Sequence, residues 1–102
     1  GGIRTGLDAA KALALGAELV GIGRPLLAKA AEGLDSLLEF LETVIVELSI
    51  AMFLVGARST RELTQKRLVI LGQTREWFEG LGYHLPQLSR SRAEGKPSFL
   101  DE

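Results

Sequence analysis

Gly1-Gly2-Ile3-Arg4-Thr5-Gly6-Leu7-Asp8, read together with Gly21-Ile22-Gly23-Arg24-Pro25 downstream, is the pair of stretches that decides the fold. A phosphate needs several N–H donors converging on it with no side chain in the way, and glycine at the turn from a strand into a helix leaves that approach open. Gly1 and Gly2, ahead of a helix opening near Thr5, supply such donors together with the positive end of a helix dipole. Gly23 and Arg24 repeat the device one helix and one strand later. Either glycine cluster alone reads as a tight turn; two of them, each beside an arginine, carry a phosphate site. Arg24 directly follows Gly23 and is the better phosphate partner, whereas Arg4 serves equally well as a surface or ion-pair residue.

Working outward, Thr5 with Asp8 three residues on opens a helix in which Leu7, Ala10, Leu13 and Ala14 recur at helical spacing, and Gly16 stops it. Glu18 to Ile22 is an apolar run between glycines, whose length predicts a buried parallel strand. Pro25 fits the first turn of a short helix running to about Ala31. Leu34, Leu37, Leu38, Leu41, Val44, Ile45, Leu48, Met52 and Val55 then mark the longest helix, ending near Gly56, with Asp35, Glu39, Glu42 and Glu47 mostly on its other side. Ser59 and Glu62 form a capping box for a helix ending near Gln65 or Lys66. Leu68 to Leu71 reads as a small strand or an extended connector, and Thr74 as the cap of a last helix through Trp77 and Phe78 to about Gly80. From Gln87 the composition predicts an irregular tail.

In an α/β barrel consecutive strands are neighbours, so the two loops would lie side by side at the C-terminal face. Phosphate sites there are often built from the loops after the seventh and eighth strands plus a short extra helix, the place of the helix from Pro25. The expected fold class is therefore α/β: the C-terminal fragment of a TIM (β/α)8 barrel, mostly helical in the part present, with one or two short strands. Residues 1–58 hold the last βα units with both loops and the long helix, 59–86 a helical extension, and 87–102 the tail.

Composition narrows the function classes. A chain of 102 residues, 46% hydrophobic with a formal net charge of −1, holds one domain at most and lacks the basic face that nucleic acid requires. The absence of cysteine removes disulfides and thiolate metal sites. The longest apolar run, Ile50 to Val55, falls far short of the roughly 20 residues that span a bilayer. There is no initiator Met and no signal-peptide pattern, and glycines such as Gly1 and Gly2 usually follow a buried strand, so an upstream part is expected. The single histidine, His84, has no nucleophile or carboxylate placed beside it by sequence, and reads as a surface or packing residue. Glu39, Glu42 and Glu47 read as a solvated helix face, Asp8 as a helix-start residue, Met52 and Phe53 as core, and Trp77 and Phe78 as packing the last helix onto the body. The chain thus offers binding groups but no catalytic acid, base or nucleophile and no metal ligands.

The first stretch, followed by Lys11-Ala12-Leu13-Ala14-Leu15-Gly16-Ala17 and by Gly21-Ile22-Gly23-Arg24-Pro25, resembles the end of FMN-dependent barrel enzymes. Downstream, Ile50-Ala51-Met52-Phe53-Leu54-Val55-Gly56-Ala57 and Leu71-Gly72-Gln73-Thr74-Arg75-Glu76-Trp77 look like the C-terminal region of type 2 isopentenyl diphosphate isomerases. The resemblance fades after Gly82. It implies that Gly1, Gly2, Ile3, Arg4, Gly23 and Arg24 hold the FMN phosphate. It also implies interconversion of isopentenyl and dimethylallyl diphosphate, with Mg2+ and NADPH as further requirements whose ligands lie outside this chain. A cytoplasmic homo-oligomer acting on a small-molecule diphosphate is expected when full length, and this chain alone is expected to be inactive. Many isomerases have alanine where Gly23 stands, and glycine there is more like the 2-hydroxy-acid oxidases, which are the alternative. A helical interaction module built on the Leu-rich long helix is a third reading.

Overall fold

The structure, a computed structural model, describes residues 1–83. His84 and the expected tail from Gln87 lie outside the described residues. Five helices occur among the described residues: α1 (Gly6–Ala14), α2 (Arg24–Glu32), α3 (Leu34–Val55), α4 (Thr60–Leu63) and α5 (Gly72–Gly80).

The start and stop signals of α1 act as the side-chain chemistry dictates. Thr5 Oγ1 accepts from the Asp8 N–H at 3.1 Å, while Asp8 Oδ2 accepts from the Thr5 N–H at 3.2 Å, a reciprocal capping box. At the other end Gly16 takes φ +111, which lets its own N–H reach the Leu13 carbonyl and the Ala17 N–H reach the Ala12 carbonyl, each at 3.0 Å. These two bonds form a Schellman stop. The same logic opens α4, where Ser59 Oγ accepts from the Glu62 N–H at 3.3 Å. Glu62 reaches back one residue further than a capping box requires and takes the Arg58 N–H at 2.8 Å.

The core is small and built largely from alanine. Ala9, Ala10, Leu13 and Ala14 of α1 are buried, with Ala57 and with Leu63 of α4, which is 3% exposed. Val20, Leu48, Met52 and Leu68 pack around this cluster. α3 is the platform: α1 and α2 both rest on it, and α4 closes against α1 and α3. Small residues on α1 permit a close approach, and Gly6 sets its limit. A Cβ at Gly6 would overlap the Val44 carbonyl oxygen and the Leu48 amide nitrogen, and would stand 2.5 Å from the Glu47 Cβ. Glu47 is accordingly half-buried at the crossing and does not belong to the solvated face expected for it.

Several expectations are corrected. No strand forms among the described residues, so Glu18 to Ile22 does not join a sheet, and of the two readings of Leu68 to Leu71 the connector is the one that holds. A strand is stable only when its N–H and C=O groups pair with a neighbour, and no second strand runs alongside either segment among the described residues. Leu19, meant for a sheet interior, is 90% exposed. The apolar surface of α3 is only partly used: Leu37, Val44, Leu48 and Met52 are half-buried, while Leu34, Leu38, Leu41 and Ile45 remain exposed. Phe53, expected in the core, is 82% exposed because it lies off the face that meets α1 and α2.

α4 ends at Leu63, short of Gln65. α5 begins at Gly72 after Leu71, which gives no side-chain cap, so Thr74 lies inside its first turn and does not cap it. α5 packs on none of the other described helices. Trp77 is 65% exposed and Phe78 instead meets Tyr83 edge-on, with ring centroids 5.8 Å apart. No helix of the described residues is long and apolar enough to cross a membrane.

Candidate functional site

The second loop has the more open arrangement. Gly23 precedes α2 with no side chain bonded to the helix start, and the first turn holds no acidic residue. Pro25 has no N–H to satisfy, so the donors there are those of Gly23, Arg24 and Leu26, and none of them makes a hydrogen bond among the described residues. Within the helix the Leu27 N–H is already bonded to the Gly23 carbonyl at 3.0 Å. Nothing stands within 4 Å of where a Gly23 Cβ would lie, and Arg24 is exposed beside it. Uncapped donors, a positive helix end and an exposed guanidinium are the groups that recognise a phosphate.

The first loop is built differently. Gly1, Gly2 and Arg4 are exposed and Ile3 is half-buried, with Gly2 at φ +84, a backbone state that favours glycine. The cap of the helix it leads into is partly closed, because Asp8 and Thr5 bond to each other across it while the Gly6 and Leu7 N–H groups make no hydrogen bond among the described residues. The Asp8 Oδ2 accepts the Arg4 N–H at 3.1 Å as well as the Thr5 N–H at 3.2 Å. Those bonds, the Arg4 N–H first among them, hold the Asp8 carboxyl below its ordinary value and keep it charged. In the first loop itself the Gly2 and Ile3 N–H groups and the Arg4 side chain make no hydrogen bond among the described residues and are available to an anion.

No hydrogen bond or ion pair joins the two loops; what they share is α3, on which both following helices rest. Gly6 and the second bond of Asp8 were not singled out from the sequence as parts of this arrangement. A glycine just inside a helix start, where most residues serve better, is the signal that a neighbouring backbone comes close. Asp8 could be read as a cap, but its reach to Arg4 depends on the loop conformation. Elsewhere, the Ser36 hydroxyl donates to Glu32 at 2.6 Å and, with Lys29 at 3.6 Å, holds that carboxyl low, which serves the α2 to α3 junction. Among the described residues no group of three histidines, cysteines or carboxylates could hold a metal.

The chain is 45% identical over 85 residues to the isopentenyl-diphosphate delta-isomerase of Sulfurisphaera tokodaii, an alignment covering 83% of this chain and 23% of that protein. It is 48% identical over 79 residues to the protein of the same name from Halobacterium salinarum, covering 78% and 22% respectively. The Metallosphaera sedula protein of that name is 44% identical over 85 residues, covering 83% and 23%. The chain thus spans about a quarter of the length of the curated relatives it matches. Residues 1–70, which contain both loops, α1 to α4 and the platform helix, match the family described as FMN-dependent dehydrogenase. The chain therefore belongs to the FMN-dependent dehydrogenase family.

Proposed function

We propose that this chain is the C-terminal part of a type 2 isopentenyl diphosphate isomerase and supplies the loops that hold the FMN phosphate. The observation that carries the reading is the open start of α2, where Gly23, Arg24 and Leu26 present unbonded N–H groups beside an exposed guanidinium, in a chain whose relatives bear the isomerase name. The residues fit the group: a glycine with open space at its Cβ position on one loop, a positive-φ glycine on the other, and an arginine at each. On this reading the α2 donors and Arg24 take most of the phosphate charge, while Gly2, Ile3 and Arg4 close the other side. Reduced FMN, when bound, takes part in the proton transfer that interconverts isopentenyl and dimethylallyl diphosphate.

The same reading assigns residues 1–58 to the closing βα units of a TIM barrel, with Glu18 to Ile22 becoming a strand once a parallel neighbour pairs with it, and residues 59–86 to a helical extension. On this reading Mg2+ and NADPH are bound by the remainder of the enzyme. A cytoplasmic homo-oligomer is part of the reading. Gly23 and the dehydrogenase family description favour a second reading, a 2-hydroxy-acid oxidase using the same phosphate loops. The deciding experiment gives the full-length polypeptide carrying this chain isopentenyl diphosphate with reduced FMN, and in parallel lactate or glycolate with oxygen. Turnover of the diphosphate alone supports the isomerase; turnover of the hydroxy acid alone replaces it with the oxidase.

A further inference from the structure

Asp8 does more than a helix cap requires. In a capping box the carboxylate at the third helical position returns to the N–H of the cap residue alone. Here one oxygen, Oδ2, accepts both the Thr5 N–H and, one residue outside the cap, the Arg4 N–H. The second bond reaches into the phosphate loop itself. It turns the Arg4 and Thr5 amides inward, leaves the Gly2 and Ile3 amides as the donors within the loop itself, and fixes the direction in which the Arg4 side chain leaves the backbone. Gly2 takes φ +84, a conformation that favours glycine, and the clamp begins two residues after it.

We propose that Asp8 is a positioning residue for the FMN phosphate, setting the geometry of the first loop through these paired bonds. This rests on the phosphate reading given above. The charge of Asp8 works against that role, because a carboxylate near a bound anion repels it. Its contribution comes from hydrogen bonding, and the use of a single acceptor oxygen lets the two effects be separated. Asparagine offers one carbonyl oxygen at the same reach and no charge.

The test titrates FMN and riboflavin into the full-length polypeptide carrying this chain, as parent, Asp8→Ala, Asp8→Asn and Glu62→Ala. Riboflavin differs from FMN only in lacking the phosphate, so the ratio of the two affinities isolates the phosphate contacts. Glu62→Ala removes the matched bond to the Arg58 N–H, on a helix that carries no phosphate loop. Asp8→Ala is expected to lower FMN affinity about tenfold while riboflavin affinity stays within about twofold. Asp8→Asn keeps the parent ratio or raises it, and Glu62→Ala leaves the ratio unchanged. Should Asp8→Ala fail to fold, Asp8→Ser, whose hydroxyl is too short to reach Arg4, is expected to show the same fall in ratio. Equal losses for both ligands in Asp8→Ala, a parent-like ratio there or in Asp8→Ser, or an Asp8→Asn ratio as low as that of Asp8→Ala would each overturn the proposal. A parent protein that binds FMN no better than riboflavin refutes the phosphate reading itself, and the role of Asp8 with it.

Discussion

Replacing Gly6 by alanine adds one methyl group where α1 crosses close to α3. The new Cβ would overlap the Val44 carbonyl oxygen and the Leu48 amide nitrogen and lie 2.5 Å from the Glu47 Cβ. Two of these three obstacles are backbone atoms of α3, so no rotamer change can clear them; α1 has to move off α3 or rotate on it. Overpacking of this kind costs typically about 1–3 kcal/mol, and backbone obstacles put Gly6 at the upper end. Alanine recovers about 1 kcal/mol through its better helix propensity. The net expected loss is about 2 kcal/mol, or roughly a 30-fold rise in the population of the undocked helix. Ala9, Ala10 and Leu13 lie along the same helix and lose their cover with it.

The assay is amide hydrogen exchange over residues 6–15 in the full-length polypeptide, which reads the docking of α1 without depending on global unfolding. Gly21→Ala is the control, since its Cβ position is open and its φ is not in the left-handed region. Its effect is expected to stay within about 0.5 kcal/mol. Unchanged or slower exchange in Gly6→Ala would refute the close-crossing argument, because it would mean the methyl group is accommodated without displacing α1.

Other consequences can be measured in the same protein. Arg24→Ala should weaken FMN by about 10- to 100-fold and leave riboflavin nearly unaffected, the scale of a lost charge-assisted bond; equal effects on both ligands would remove Arg24 from the phosphate. Thr5→Ala should destabilise α1 by about 1 kcal/mol through loss of its cap, seen as faster exchange over residues 6–9; no change there would count against the capping box. Asp8, whose folded pKa lies below the ordinary 3.8, stabilises the fold above that pH, and its contribution is lost as pH falls through the folded value. The acid limb of stability should flatten in Asp8→Asn, and an identical limb would contradict the bonds assigned to Asp8. The 102-residue chain on its own, with Leu19, Leu34, Ile45 and Phe53 uncovered, should associate with rising concentration in sedimentation experiments; a monomer with a two-state melt would show that these faces need no cover.

Sequence patterning recovered what local chemistry governs. Thr5 with Asp8, Ser59 with Glu62, Gly16 and Gly56 bracket their helices because caps and left-handed stops depend on a few neighbouring residues. Periodicity located α2 and α3 almost to the residue. It could not say which part of the α3 apolar surface is used. Leu34, Leu37 and Leu38 have nearly the same chemistry, and only the position of α1 and α2 leaves Leu37 half-buried and the other two exposed. Glu18 to Ile22 carries a strand pattern, but a strand is a property of a pair, and this segment has no neighbouring strand among the described residues. Thr74 looked like a cap because of its residue type, whereas α5 starts two residues earlier, at Gly72 with φ +64. For the site, glycine and arginine placement was legible; the diversion of the Arg4 and Thr5 amides to Asp8 was not, because it depends on loop geometry.

The proposed seat of the FMN phosphate, between the two loops, is open to direct observation. The most direct measurement is a crystal structure of the full-length polypeptide with FMN bound. Phosphate oxygens are expected within hydrogen-bonding distance of the Gly23 and Arg24 N–H groups and of the Gly2 or Ile3 N–H, with the Arg4 and Thr5 amides still bonded to Asp8. A phosphate seated on other residues, with both loops empty, would contradict it.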